Sequence, residues 1–434
     1  MKISVIGCGY LGAVHASAMA SLGHDVIGID VEAAKVEQLS RGEAPFFEPG
    51  LPELLSAGLA SGNLRFSTDI ADAADAEVHF VAVGTPQRKG ENAADLRYVD
   101  AAIEALLPWL APGSLVVGKS TVPVGTAARL AERVRTRDAD LAWNPEFLRE
   151  GYAVKDTLQP DRLVYGVDGD AAQGILDSVY AQALAAGTPL VVTDFATAEL
   201  VKVAANAFLA TKISFINAMA EIAETVGADV TTLADAIGHD ARIGRRFLNA
   251  GIGFGGGCLP KDIRAFTARA EELGHGESVA FLKEVDAINL RRRDRAVDLV
   301  IEVLGDRLRT GRVAILGLAF KPESDDVRDS PALDVAVRLH GLGVDVVATD
   351  PEAIENARRL HPQLTYVEDA GEAIAGAEVV VLVTEWREYR DLDPAAIGAQ
   401  VATKNIIDGR NVLDVDAWRS AGWSYVGMGR GRRD

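Results

Sequence analysis

The stretch Lys2-Ile3-Ser4-Val5-Ile6-Gly7-Cys8-Gly9-Tyr10-Leu11-Gly12 decides the fold. A short apolar run of strand length ends on three glycines spaced GxGxxG, and the residues after Gly9 suit a helix. Gly7 permits a tight turn, Gly9 lets backbone approach a pyrophosphate, and Gly12 lets the helix pack on the strand, with the helix N-terminus facing the phosphates. The next apolar run, Asp25–Asp30, ends on an acid 18 residues after Gly12. A carboxylate there hydrogen-bonds a ribose 2′-hydroxyl and repels a 2′-phosphate, which favours NAD over NADP. The plain alternative is a turn in a purely structural Rossmann fold. Cys8 sits at a variable loop position and reads as a small buried thiol.

Outward from this stretch, short β-rich runs alternate with helical patterns as far as about Phe195. Lys2–Ile6, Asp25–Asp30, Glu77–Val83 and Leu115–Gly118 are examples. Strands alternating with helices imply βαβ units and a parallel sheet. From Ala196 the pattern becomes one long helix, free of Pro and with its first Gly at Gly227. Leu200, Val203, Ala207, Ala210, Ser214 and Asn217 fall on one stripe, with Phe208, Phe215 and Met219 beside it. Asp194 or Thr197 suits the cap, and Gly227 the end. About 30 residues at 1.5 Å each give roughly 45 Å, a length suited to joining two domains and to packing against a second copy. From about Thr310 the βαβ pattern returns as a weak internal repeat. RVAILGLAFKP at 312 resembles KISVIGCGYLG at 2, VDVVATDPE at 344 resembles HDVIGIDVE at 24, and AEVVVLVTEW at 377 resembles AEVHFVAVGTP at 76. The fold class expected is α/β. Residues 1–195 and 301–434 form two Rossmann-like domains with parallel sheets, and 196–300 form a helical middle. The second Rossmann-like half lacks the three-glycine loop and is not expected to bind a dinucleotide in the same way.

The chain has 434 residues, 44 basic and 63 acidic, for a net charge of −19. Such a surface does not attract nucleic acid or anionic lipid. Two cysteines 250 positions apart rule out a disulfide framework and a CxxC metal knuckle. The seven histidines show no metal-ligand spacing, so no metal is expected. No secretory signal is read at the start, and no unbroken apolar run reaches the roughly 20 residues of a bilayer span. A soluble cytoplasmic enzyme, without nucleic-acid or membrane partners, is the expectation. Arg430, Arg432 and Arg433 among glycines read as a terminal tail.

The densest unusual segment is Phe254-Gly255-Gly256-Gly257-Cys258-Leu259-Pro260-Lys261-Asp262. Three consecutive glycines are costly in chain entropy and make sense where backbone must approach a ligand. A cysteine becomes a nucleophile where positive charge or a helix N-terminus favours the thiolate, and Asp262 suits a base toward water. Lys202 and Asn206, at i and i+4 of the long helix, share one face and suit the stabilisation of an oxyanion. Thr121 and Glu146 each follow a strand-like run. For each of these the plain alternative is a buried thiol, a solvated helix face or an ordinary turn residue. A nicotinamide cofactor together with a cysteine nucleophile points to two successive oxidations, alcohol to aldehyde and thiohemiacetal to thioester, and then hydrolysis to an acid.

Taken together, these residues resemble the UDP-glucose/GDP-mannose dehydrogenase family of nucleotide-sugar dehydrogenases. The carrying motifs are GxGxxG, VGTP (83–86), KSTVPVGT (119–126), NPEFLREG (144–151), KVAANAFLATKISFIN (202–217), GFGGGCLPKD (253–262), AFKP (319–322) and DGRN (408–411). The resemblance covers nearly the whole chain. It implies two Rossmann-like domains joined by a long helix at a homodimer interface, and NAD-dependent four-electron oxidation of the C6 hydroxyl of UDP-glucose to UDP-glucuronate. GDP-mannose or a UDP-N-acetylhexosamine remains an alternative substrate. A two-electron dehydrogenase and a non-catalytic NAD-binding scaffold are rivals of other classes.

Position by position, the resemblance makes Cys258 the thioester nucleophile. Lys202 and Asn206 become oxyanion donors, Asp262 works with a water, and Glu146 and Thr121 surround the reacting carbon. Gly7, Gly9, Tyr10, Leu11, Gly12, Asp30, Lys35, Thr85, Thr121, Glu150 and Arg328 fall at the cofactor. Phe147, Leu148, Arg149, Glu150, Lys202, Asn206, Asn249, Gly253, Phe254, Gly255, Lys321 and Arg410 fall at the UDP-sugar, and Arg242 matches an arginine that crosses from a partner subunit. Surface pairing of Lys321 and Arg328 with the acidic turn at Glu323, Asp325 and Asp326, and pairing of Arg410 with Asp408, are the plain alternatives. One departure is Gly257, where the family usually has Ser; it puts only loop rigidity in doubt.

Overall fold

The computed structural model describes residues 1–431, so Arg432 and Arg433 lie outside the described residues. The chain forms two compact units. One comprises Met1–Ala205 with Ala268–Gly274; the other comprises Asn206–Thr267 and the chain from His275 onward.

In the first unit, β1 (Lys2–Ile6), β2 (Asp25–Ile29), β3 (Leu64–Ser67), β4 (Val78–Val81), β5 (Leu115–Gly118), β6 (Asp140–Trp143), β7 (Leu163–Gly166) and β8 (Leu190–Thr193) make one sheet. Their order is β3-β2-β1-β4-β5-β6-β7-β8. β1 lies between β2 and β4, so the loop after it opens at the crevice where the strand order reverses. β4 and β5 are buried at every residue, as a parallel sheet covered on both faces requires. The expectation of a parallel sheet needs one correction: β6 and β7 pair antiparallel through Trp143 and Gly166. The chain between them turns back after β6 instead of crossing over, so β7 runs opposite. Helix α1 (Tyr10–Ser21) comes directly after the first two glycines of the loop and is buried from Gly12 to Ala20.

The second unit holds β9 (Arg312–Leu316), β10 (Asp345–Thr349), β11 (Thr365–Tyr366), β12 (Val379–Leu382), β13 (Asn405–Asp408) and β14 (Ser424–Gly427). Their order is β11-β10-β9-β12-β13-β14, with every neighbouring pair parallel. The repeat seen in the sequence is a structural repeat. Gly7 and Gly317 both take positive φ, +90° and +109°. Their N–H groups donate to the last strand residue of β2 and β10, at 2.7 Å to Ile29 O and 2.9 Å to Thr349 O. The next amide in each half donates to the acid after that strand: Cys8 N to Asp30 Oδ2 at 2.8 Å, and Leu318 N to Asp350 Oδ2 at 2.7 Å.

The halves then diverge. Among the described residues, Asp350 also receives Ala319 N, Trp386 Nε1, Glu352 N and Ala353 N. A carboxylate offers about four lone-pair sites, so five donors leave none for a ribose hydroxyl. Ala319 and Pro322 replace the second and third glycines.

Helix α2 (Phe195–Val226) has 32 residues. Asp194 caps it by accepting Thr197 N at 2.7 Å, and Gly227 at φ +74° ends it. Val203, Ala207, Ala210, Ser214 and Asn217 are buried as the stripe predicts, but Leu200 is exposed. Phe208, Phe215, Ile222 and Val226 form a second, exposed apolar row. By length and composition α2 meets the requirement for a membrane span. The reading that no unbroken apolar run reaches bilayer length still holds, because eleven of its 32 residues are polar or charged. The second unit nonetheless uses its polar groups as a core helix does. Ser214 Oγ donates to Val285 O at 2.7 Å, and Asn217 Oδ1 accepts Gly251 N at 2.9 Å. Arg430 is likewise not part of a loose tail: Gly429 O accepts Val230 N, and the Arg430 guanidinium lies 3.9 Å from Asp229.

Substituting Asp350→Asn sets an amide N–H₂ against at least two buried donors in either orientation. We expect a loss of about 2–4 kcal/mol in urea unfolding, with NAD affinity unchanged in the folded fraction; unaltered stability would contradict the assignment.

Candidate active site

At the dinucleotide loop, a Cβ on Gly12 would lie 1.8 Å from Gly7 O, so Gly12 is fixed by helix–strand packing. Gly9 is different. Its φ of −69° suits any residue, and a Cβ there would meet nothing within 4 Å. Neither backbone nor packing asks for glycine at this position; a ligand approaching the loop does. Asp30 receives Cys8 N, Glu32 N at 3.0 Å and Lys35 Nζ at 3.2 Å. Three donors leave about one lone-pair site, the reverse of Asp350. These features fit a dinucleotide with a free 2′-hydroxyl. Cys8 is fully buried, and burial pushes its thiol well above the usual range, so it is no nucleophile. Leu11 packs on the core of this unit.

Tyr10 does more than its place in the motif suggests. Its phenol donates to Glu48, a buried carboxylate that also accepts Gly151 N and Ala153 N, each at 2.7 Å. Glu48 thus joins the glycine loop to the segment that carries Glu150, and burial and Glu48 both push the Tyr10 phenol up. Glu199 plays the same part for KSTVPVGT, accepting Gly125 N and Ala127 N at 2.7 Å each. Sequence reading missed both. The available signal was a lone acid among apolar neighbours, in Phe46-Phe47-Glu48-Pro49-Gly50 and in Ala198-Glu199-Leu200. In the adjoining loops, Thr85 Oγ1 donates to Thr121 O at 2.8 Å and Ser120 Oγ to Val83 O at 2.7 Å.

Glu146 and Lys202 come together. Glu146 Oε1 lies 2.8 Å from Lys202 Nζ, and Oε2 accepts Leu148 N at 2.7 Å. Burial pushes the Glu146 carboxyl up, but Lys202, the Leu148 amide and Lys119 outweigh it and hold it below its usual range. Phe147 is stacked by Arg162, 3.7 Å from the ring centroid, and faces Lys202 at 5.7 Å. Arg149 is held by Asp156 through Nε and a terminal nitrogen, at 2.9 and 2.6 Å.

In the second unit, Cys258 is exposed and directly precedes helix α3 (Leu259–Glu272), and its carbonyl accepts Asp262 N at 2.9 Å. It therefore stands at the N-cap, where the helix dipole favours a thiolate. Asp262 is buried. Its Oδ2 accepts Asn206 Nδ2 at 2.6 Å and its Oδ1 accepts Lys261 Nζ at 2.6 Å.

The glycine-rich loop before Cys258 is seated on helix α4 (Phe281–Leu304). Asn289 mimics a strand partner, accepting Phe254 N at 2.7 Å and donating to Phe254 O at 2.9 Å. A Cβ on Gly253 would lie 2.3 Å from Asn289 Oδ1, and one on Gly255 would lie 2.3 Å from Asp329 O. A Cβ on Gly257 would lie 2.4 Å from the Arg328 guanidinium carbon. At Gly257 a side chain would therefore meet the movable end of Arg328 and not backbone, unlike at Gly255.

Several remaining residues are committed to protein partners. The Arg410 guanidinium donates to Val383 O, Gly253 O and Phe320 O at 2.8, 2.9 and 3.1 Å and lies 3.2 Å from Glu385. Asp408 receives the Arg410 backbone N–H instead of its guanidinium. Arg328 pairs with Asp326, as the plain alternative expects. Lys321 lies over Phe320, Asn249 accepts from Arg245, and Arg242 is exposed and holds Asp240.

Sequence models of three domains match in order: the NAD-binding domain of the UDP-glucose/GDP-mannose dehydrogenase family at 1–184, its central domain at 196–291, and its UDP-binding domain at 314–415. The chain belongs to this family of nucleotide-sugar dehydrogenases and is an NAD-dependent oxidoreductase. It is 43% identical over 437 residues to a UDP-glucose 6-dehydrogenase of Rhizobium meliloti, covering 99% of this chain and 100% of that one. To the UDP-glucose 6-dehydrogenase TuaD of Bacillus subtilis it is 40% identical, covering 99% and 93%. Among solved structures, a UDP-glucose dehydrogenase from Pyrobaculum islandicum aligns at a TM-score of 0.89 and 40% identity, covering 99% and 98%.

Substituting Gly257→Ser asks only a flexible, exposed arginine to move, and should leave melting temperature and activity within about twofold. Gly255→Ala meets the backbone carbonyl of Asp329 and should cost about 2–3 kcal/mol with most of the activity; equal behaviour of the two in paired thermal and kinetic assays would overturn this reading of the loop.

Proposed function

We propose that the protein is a UDP-glucose 6-dehydrogenase, oxidising the C6 hydroxyl of UDP-glucose twice to the carboxylate of UDP-glucuronate, with water supplying the added oxygen. The observation that carries this reading is likeness at 40–43% along almost the whole chain to proteins named for that reaction. Likeness falls to 28% for a UDP-N-acetylmannosamine dehydrogenase structure and to 30% for a GDP-mannose dehydrogenase structure, the latter at a TM-score of 0.54.

When bound, the nicotinamide would supply the acceptor for both hydrides. Gly7, Gly9, Tyr10, Leu11 and Gly12 would hold the pyrophosphate, Asp30 and Lys35 the adenosine ribose, and Thr85, Thr121, Glu150 and Arg328 the rest of the cofactor. Cys258 Sγ adds to the aldehyde carbon to give a thiohemiacetal, which becomes a thioester on loss of the second hydride. Lys202 and Asn206 donate to the oxygen as it gains charge. Glu146, held ionised, takes a proton from the hydrolytic water while Asp262 and Thr121 orient it; the carbon–sulfur bond breaks and the thiolate is restored. Phe147, Leu148, Arg149, Asn249, Gly253, Phe254, Gly255, Lys321 and Arg410 shape the place of the UDP-sugar. Arg242 enters from a partner subunit, and the exposed row Phe208, Phe215, Ile222 and Val226 on α2 supports a homodimer. The domain division at 1–195, 196–300 and 301–434, a soluble cytoplasmic setting, and the lack of nucleic-acid and membrane partners belong to the same reading.

Cys258→Ala should lower acid formation by about three orders of magnitude or more, with product analysis showing no oxidation past the aldehyde level. A normal yield of uronate from this variant would refute the covalent mechanism.

A further inference from the structure

Lys119 is an ammonium with no part in the steps of thioester formation and hydrolysis. It is buried, and its Nζ donates to two uncharged oxygens, Asn144 Oδ1 at 2.9 Å and Tyr180 OH at 3.2 Å. The rings of Phe80 and Tyr180 lie 5.6 and 5.7 Å from it. No carboxylate lies within ion-pair distance of Lys119 among the described residues, so a charge taken out of water is left to more distant compensation. Asn144 is two residues before Glu146 in the same loop. Lys119 and Glu146 line one cavity of about 50 Å³ in the first unit. Glu146 already meets Lys202 on one oxygen and the Leu148 amide on the other, so Lys119 forms a second positive pole acting on the same carboxylate.

We propose that Lys119 is a positioning residue that works through Glu146, holding it in its ionised, proton-accepting form by charge across the cavity while Asn144 and Tyr180 fix the ammonium in place. The proposal rests on the reading of Glu146 as the base of thioester hydrolysis. The other titratable groups facing the cavity are His15 from α1, Asp156, Asp161 and Arg162 from the returning segment, and Tyr180. His15 is buried and driven to its neutral form by burial and by Lys119. Asp156 is engaged by Arg149, Arg162 by the Phe147 ring, and Asp161 is exposed to solvent. Glu146 is therefore the anion that the Lys119 charge serves.

Two arms test this. In Lys119→Met the Tyr180–Asn144 hydrogen bond of 2.6 Å can persist, and a methionine fills the same volume. The acid limb of uronate formation should move up by at least half a pH unit, and the shift should vanish when Lys119→Met is placed in a Glu146→Gln background. A superimposable profile, or the same shift without Glu146, would overturn the proposal.

The second arm does not use activity. Burial, partly offset by Glu146, lowers the Lys119 pKa to about 8, below its unfolded value. Between about pH 8 and the ordinary lysine range, the unfolded chain holds a proton the folded one has released. Stability from this group therefore rises with pH through that window. The melting temperature of the parent minus that of Lys119→Met should grow from pH 7.5 to 10; a flat or falling difference would contradict a buried ammonium without its own close counter-ion. Should the parent release no uronate, the reading of Glu146 fails, while the melting arm still reports on Lys119.

Discussion

Most of what positions the chemistry depends on one constraint: a buried carboxylate is tolerable only when donors meet its oxygens. The protein uses this to tie loops down. Glu48 gathers Gly151 N, Ala153 N and the Tyr10 phenol, and Glu199 gathers Gly125 N and Ala127 N. Asp408 takes Val412 N, Leu413 N and the Tyr425 phenol. In a chain with 63 acidic residues, a handful act as internal fasteners while most sit at the surface.

The same device separates the two Rossmann-like halves. Both begin with a strand, a glycine at positive φ and an amide bonded to the acid after the second strand. Asp30 keeps a lone-pair site for a ligand; Asp350 spends all of its own on backbone amides and on the Trp386 indole. One shared arrangement thus serves as a cofactor site in one half and as a sealed joint in the other.

How far the fold was readable depends on the range of the interactions. The glycine loop, the internal repeat and the long helix are local patterns in the sequence, and all three appear in the structure. The reversal between β6 and β7 was not readable, because it depends on where a loop returns rather than on strand composition. The exposure of Leu200 was hidden for a similar reason: helical spacing gives a stripe but not where along its length the stripe loses cover. At the site, Cys258 beside a glycine run and Lys202 with Asn206 stood out from residue type and spacing. Their partners did not. The pairings of Lys202 with Glu146 and of Asn206 with Asp262 span 56 positions each. Glu48, Glu199, Lys119 and Asn289 act through partners between 25 and 105 positions away, so their roles emerge only once the chain is folded. Arg410 shows the converse: a motif residue whose guanidinium is engaged by backbone carbonyls and Glu385 rather than by its sequence neighbour Asp408.

The central claim is that a single protein, with one cysteine at a helix N-terminus and one dinucleotide site, carries its sugar through two oxidations. The most direct measurement is the yield of NADH per sugar when the protein is incubated with excess NAD⁺ and a limiting amount of each of UDP-glucose, UDP-N-acetylglucosamine, UDP-N-acetylmannosamine and GDP-mannose. The account predicts two NADH per UDP-glucose, no accumulated aldehyde, and little turnover of the other three. One NADH per sugar, or preference for another sugar nucleotide, would contradict it.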